Sequence, residues 1–183
     1  MGAKTCGTYS LTGMGKECAG AASGVKRIAI GLDSEWNVIE NTDTASTPHS
    51  VTISAATSGS PKFYDYYVTD EAASMTSTLV INNQNGIRYY STVITATLIR
   101  LRPEKNIELQ ALANERLIVL VLDNNDQWWA VTNVSSTNQT GQTGQAADDM
   151  SGYSLELTGR MPVMPWAVDE EDLPDIDTPD VFD

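Results

Sequence analysis

Sixteen consecutive residues without Gly or Pro, IRYYSTVITATLIRLR (residues 87–102), limit the folds open to this chain more than any other stretch. The run is rich in β-branched and aromatic types, so it favours a pleated strand over a helix. At roughly 3.3 Å per residue it would extend about 50 Å, against roughly 17–20 Å for an ordinary strand. Ile87, Tyr89, Val93, Ile99 and Leu101 fall on one face, and Tyr90, Ile94, Ala96 and Leu98 on the other. Both faces are apolar along the middle, and one small domain can hardly cover both. Part of that surface is therefore expected to meet another chain, with the subunit contact on Ile87, Tyr89, Tyr90, Val93, Ile94 and Leu98. On this reading Ile94→Asp leaves a soluble monomer that cannot assemble, because assembly would bury an unpaired charge.

The flanking segments extend the β pattern. Asn83-Gln84-Asn85-Gly86 ahead of the long strand ends in the Asn-Gly pair typical of hairpin turns. Further strands are expected from Val25 onward, where Lys26, Ile28 and Ile30 alternate with Val25, Arg27 and Ala29, and over residues 50–56, 63–68 and 75–82. Pro103 stops the long strand, and PEKNIELQALANE (residues 103–115) has the leading proline and early acids of a helix start. Ile107, Leu109 and Ala111 also alternate as in a strand, so helix and strand both fit there. A buried strand over 117–122, a turn at Asp123-Asn124-Asn125-Asp126 and a strand over 127–133 form the next hairpin. A polar loop is expected over 135–149 and a last strand over 153–158, with Pro162 and Pro165 closing a mainly β fold.

Charge divides the chain. Of 183 residues, 24 are acidic and 11 basic, for a formal net charge of −13. Residues 1–27 carry +3, residues 28–165 carry −8 and residues 166–183 carry −8 again. The domains expected are a glycine-rich arm over 1–24, a β-rich domain over 25–165 and an acidic, solvated, mobile tail over 166–183. An alternative for the tail is docking onto a neighbour through Leu173, Ile176, Val181 and Phe182. Such acidity counts against a nucleic-acid-binding module, which needs clustered Lys and Arg. The longest apolar run, residues 117–122, is about a third of the roughly 20 residues that a membrane helix requires. No signal-peptide core opens the chain, so a non-membrane protein outside the usual export route is expected.

Nothing in the sequence assembles a catalytic constellation, so no enzyme activity, cofactor or metal is expected. His49 is the only imidazole and sits in the loop Thr47-Pro48-His49-Ser50, read as an ordinary loop residue. Cys6 and Cys18 are read as two free thiols, with a bridge in a mature extracellular particle as the alternative, and they lack partner ligands for zinc. The run from Asp123 to Asp126 is oxygen-rich, but its sixth position is Trp128 and its twelfth Val134, where a calcium loop needs Gly and Glu. Trp128 and Trp129, adjacent on a strand, must point to opposite sides. Tyr64, Tyr66, Tyr67 and Trp129 offer a second reading, a β-sandwich adhesin that stacks sugars.

The chain resembles phage tail tube and tail-ring proteins of the type seen in phages of Bacteroidota, including short-tailed crAss-like phages. The likeness covers residues 1–168. It rests on Cys6-Gly7 with Gly13, Cys18 and Gly24 before VKRIAIGLD, on NGIRYYSTVITATLIRL followed by NIELQALAN, on LIVLVLDNNDQWW, and on GQTGQAADDMSGYSLELTGRMPVMPW. It implies a β-sandwich or barrel-forming sheet with one flanking α-helix, in subunits that form six-fold rings or a multiple, each lending strands to a shared barrel. It further implies a virion location in the tail, assembly in the host bacterial cytoplasm, contacts with other tail or neck proteins, and DNA passing through without specific binding. The arm would serve ring-to-ring contact, and carboxylates facing the lumen would repel phosphates. The segment beyond Trp166 departs from the tube pattern, which leaves room for a single ring.

Overall fold

The computed structural model describes residues 23–41, 49–56, 59–68, 71–143, 145 and 151–178. In chain order the strands are β1 (Val25–Leu32), β2 (Trp36–Glu40), β3 (Val51–Ala55), β4 (Phe63–Tyr66), β5 (Ala73–Asn82) and β6 (Ile87–Ile99). The helix α1 (Pro103–Asn114) follows, then β7 (Leu117–Asp123), β8 (Trp128–Gln142), β9 (Gly152–Met161), β10 (Trp166–Val168) and β11 (Ile176–Asp177). The fold is mainly β with a single helix among the described residues, as expected. The long strand ends at Ile99 and not at Arg102, because Arg100 takes φ 68, which breaks the pleat, and Pro103 opens α1. Of the two readings of residues 103–115, the helix forms, with Leu109 and Leu112 as its buried side chains.

One large sheet runs in the order β11-β4-β1-β7-β8-β9-β6-β5, with β10 also on β8 and β2-β3 forming a separate hairpin. Every pair in it is antiparallel except β11 on β4. The fifteen-residue β8 belongs to two layers. Residues 128–134 pair with β7, whereas residues 135–142 pair with β9 alone. Between Val131 and Val134 the strand carries one residue more than β7 opposes, and Asn133 there adopts φ 53. That is a β-bulge, which bends the strand and sharpens its twist. The bend holds because Asn133 is tied to Arg116 (2.8 Å) and to the Arg160 carbonyl (3.2 Å), and because Gly159 lies opposite. A Cβ on Gly159 would come within 2.6 Å of Val131 Cγ1. The sheet thus folds over until β5 returns against β1, and the two layers enclose the core.

Ile28, Ile30, Val119, Val121 and Val131 project from one layer toward Ile94, Leu155 and Leu157 of the other, and all are buried. Each such side chain contributes roughly 1.5–3 kcal/mol by leaving water. The outer side of the first layer is covered by the β2-β3 hairpin, where Trp36 meets Phe63 with ring centroids 4.7 Å apart.

Two sequence expectations change. The polar loop over 135–149 is strand as far as Gln142: its Ser, Thr, Asn and Gln side chains carry no strand signature, and pairing with β9 supplies the order. The acidic segment after Trp166 is tied to the sheet by short strands along its described part and is not a free tail, although Asp169, Glu170, Glu171, Asp175 and Asp177 stay exposed. β10 pairs with β8, β11 adds to the edge of β4, and Lys62 lies 3.8 Å from Asp175 and 3.7 Å from Asp177. The expected arm falls outside the described residues except for its last two.

Asp123 organises the turn between β7 and β8 as a hairpin, not a cation loop. Its carboxylate accepts the backbone N–H of Asn125 (2.8 Å) and Gln127 (3.0 Å) and the Trp129 Nε1–H (3.0 Å). Partial burial raises its pKa, but these bonds outweigh burial and hold the carboxyl below its ordinary 3.8. A lowered folded pKa contributes stability that is complete above 3.8 and fades as pH falls through the folded value. Asp123→Ala is expected to destabilise the fold by about 1–3 kcal/mol at neutral pH, and by less near pH ~3. Urea midpoints of both proteins at the two pH values check this.

Candidate functional site

The second layer, made of residues 134–142 of β8 with β9, β6 and β5, is unusual in having two open edges. At one margin β5 pairs with β6 only. Its sequence, ASMTSTLVIN, contains no charge and no Pro, and its pairing with β6 has no bulge. Those are the devices by which edge strands normally resist pairing with other chains. At the other margin residues 135–142 of β8 pair with β9 only; they too are uncharged, with one bulge between Ser136 and Asn138. The first layer is different: its outer strand β11 has two residues, follows Pro174 and Asp175 and ends in Asp177. That margin is protected.

The β5-β6 hairpin also overhangs the core. The β9 pairing stops at Met161 opposite Tyr90, so residues 79–89 run on with a partner on one side alone. Leu79 (38% exposed), Ile81 (52%) and Ile87 (45%) stand open there. The six residues expected at a subunit contact divide accordingly. Ile87 lies on the overhang, while Tyr89, Tyr90 and Val93 are half-buried. Ile94 (1% exposed) and Leu98 are core residues, because β6 turns its even-numbered side chains inward between the layers. Those two are used up by the fold, which corrects the reading that Ile94→Asp would leave a soluble monomer.

A groove of about 990 Å³ runs along the open edge of β8. One wall is the strand itself, contributing the consecutive residues Gln139, Thr140, Gly141 and Gln142. Consecutive lining residues mean that the groove follows the backbone edge and not one side-chain face. The other wall is α1, through Asn106, Leu109 and Gln110. The helix is held beside the strand by Gln139, whose Nε2–H₂ donates to the Leu109 carbonyl (2.9 Å), and by the Tyr153 hydroxyl, which donates to Asn106 Oδ1 (2.6 Å).

The outward face of this layer is a field of hydroxyls. Strand β5 turns Ser74, Thr76 and Thr78 outward, and β6 presents Ser91, Thr95 and Thr97 beside them. Strand β9 adds Ser154 and Thr158, and β8 adds Ser135 and Thr140. Its charged members are Glu156 and Arg160, with the Arg160 guanidinium 6.0 Å from the Tyr89 ring. Over residues 94–98 the alternation of Thr95 and Thr97 with Ile94, Ala96 and Leu98 is the sequence signal that distinguishes this face from the core face, and it fails at buried Thr92 and outward Val93.

The other candidates do not converge. Tyr66, Ile28, Val121 and Trp129 lie in one row across four strands, so buried Ile28 and Val121 separate the tyrosines from Trp129 by about 14 Å. Tyr66 donates to Glu108 Oε1 of α1, and Trp129 donates to Asp123. Burial, followed by the Glu108 hydrogen bond and charge, pushes the Tyr66 hydroxyl far above its ordinary range. His49 Nε2 lies 3.0 Å from the Met164 carbonyl, and its ring is 6.3 Å from Trp166, a packing position in a loop. Cys6 and Cys18 lie outside the described residues. Among the described residues no group of three or more His, Cys, Asp or Glu is set to hold a metal, and no helix is long and apolar enough to cross a membrane. No protein-family model, curated protein or solved structure matches this chain.

Proposed function

We propose that the chain is a non-enzymatic structural subunit of a phage tail, which assembles through its sheet edges into rings that form a conduit for DNA. The observation that carries this reading is the pair of open, uncharged edges on a single four-stranded layer. The two edges belong to different strands, so joining β5 of one copy to residues 135–142 of β8 in the next is a head-to-tail contact. Contacts of that kind generate rings when the rotation closes. The strand directions agree with it: β8, β9, β6 and β5 alternate, so the new pair is antiparallel like every other pair in the layer. The lengths agree as well, with ten residues in β5 against eight in the open part of β8. Pairing would satisfy both rows of backbone groups and cover the overhang against the neighbour. The tail, the virion and DNA enter through the sequence resemblance, with other tail or neck proteins as further partners.

The test is native mass spectrometry with negative-stain imaging of the full chain over a concentration series. Rings with a central hole are expected. The double variant Thr78→Lys, Ile81→Glu places a charge on the open edge and another on the overhang, where the new carboxylate would face Arg88 across the hairpin. Both wild-type side chains are exposed, so the thermal midpoint should stay within about 2 °C while rings are lost. A wild-type chain that stays monomeric at every concentration and binds glycans would transfer the assignment to an adhesin.

A further inference from the structure

We infer that the hydroxyl face of β5, β6, β9 and β8 lines the conduit, so that DNA passes over an electrically neutral surface and not over a layer of carboxylates. This rests on the proposed ring and adds the orientation and chemistry of its wall. The four-stranded layer has one free face and one face packed against β1, β7, β4 and α1. In a closed ring of such layers the inner circumference is the shorter, so the bulk of each subunit must stand on the outside. The free face is left for the lumen.

Its chemistry differs from that of the whole chain. Among the described residues the other acids lie elsewhere, for example at Asp169–Asp172, Asp175 and Asp177 after β10, on α1 and beside β2. On the free face Glu156 and Arg160 offset each other. Some of the hydroxyls are engaged with their neighbours: Ser74 with Thr95 (2.8 Å), and Thr137 with Thr158 (3.1 Å) and Glu156 (2.9 Å). Neutral hydroxyls offer phosphates only uncharged hydrogen bonds, and a wall without cation clusters releases no counterions when DNA approaches. An acidic wall would act through a field screened over roughly 10 Å at 0.1 M salt, so its effect would change with ionic strength. The neutral wall has no such dependence.

The experiment places a gold-cluster maleimide on Ser154→Cys, exposed on β9, and in a second protein on Ile107→Cys, exposed on α1. Both are made in the full chain with Cys6→Ser and Cys18→Ser. In negative stain, gold inside the hole for position 154 and on the outer rim for position 107 is the expected result. Well-formed rings with the position-154 gold on the rim would overturn this inference and leave the ring reading intact. A chain that never forms rings overturns both. As a second readout, DNA retention by unlabelled rings should change less than about twofold between 50 and 200 mM salt. A steep salt dependence in either direction would contradict a neutral wall.

Discussion

Ile94→Asp is expected to abolish the folded monomer itself, giving a protein with no cooperative unfolding transition and a low soluble yield. Ile94 is 1% exposed, in the middle of β6, and pairs with Met75 on β5 and Leu157 on β9. Removing its aliphatic bulk alone costs about 2–5 kcal/mol. The carboxylate then sits between two apolar layers where Leu155, Leu157 and Val119 offer no donor, and an uncompensated buried charge costs several kcal/mol more. Together these match the roughly 5–15 kcal/mol by which a domain is stable. Ile94→Val, which keeps the branching and removes one methyl, should cost only about 0.5–1.5 kcal/mol. Urea unfolding followed by near-UV circular dichroism distinguishes the two. Any loss of assembly in the Asp variant would report loss of the fold, which is why the edge variants at positions 78 and 81 are the ones that test the ring.

Ile94 also marks where a sequence stops being legible. The existence of β6, the Asn-Gly turn before it, the helix behind Pro103 and the buried β7 are all legible, because each has a strong local signal: period-two alternation, turn residues, a proline, or a continuous run of Val, Ile and Leu. The side of β6 that faces the core is not legible from apolar residues alone, since both faces carry them around the middle. The hydroxyls at Ser91, Thr95 and Thr97 hold that information, and they repeat on β5 and β9. The far half of β8 reads as loop because Ser, Thr, Asn and Gln are common in loops, and only the ladder to β9 makes it strand. The short strands β10 and β11 are hidden for a similar reason. Charge and proline describe the segment around them correctly, but its backbone bonds to β8 and β4 are decided by tertiary neighbours.

The bulge at Asn133 links these observations to the proposed function. Without it β8 would continue straight, its last eight residues would extend the first layer, and both of their sides would lie beyond the core. With it, one strand serves the buried layer with its first half and presents an open edge beside α1 with its second. The feature that separates the two layers therefore also creates the open edge to which the proposed ring assigns a neighbouring β5. Nothing in the composition of residues 131–134 announces this except the Asn, one of the few residue types that tolerate a positive φ.

Gly152→Ala should be among the most damaging single-methyl changes in the protein. Gly152 is buried at the start of β9, paired with Ile99 on β6 and with Gln142 on β8. A Cβ there would lie 2.2 Å from the Leu98 carbonyl oxygen and 3.1 Å from Ile99 Cα. Carbon-to-oxygen contacts between strands are ordinarily about 3.3–3.6 Å, so the strands must separate by about 1 Å. No side chain can give way, since the obstacle is backbone in a ladder. The separation would pull on the Arg100 N–H bond to the Ser151 carbonyl (2.8 Å) and on the end of the β6-β9 pairing. Overpacking and a weakened ladder together should cost about 3 kcal/mol or more. At roughly 2–4 °C per kcal/mol for a chain of this length, the thermal midpoint should fall by about 6–12 °C. Gly59→Ala is the matched control: nothing lies within 4 Å of its Cβ position, and its midpoint should move by no more than about 2 °C. Equal midpoints for the two variants would mean that β9 can shift along β6 without loss, and the tight crossing at Gly152 would then contribute nothing to the fold.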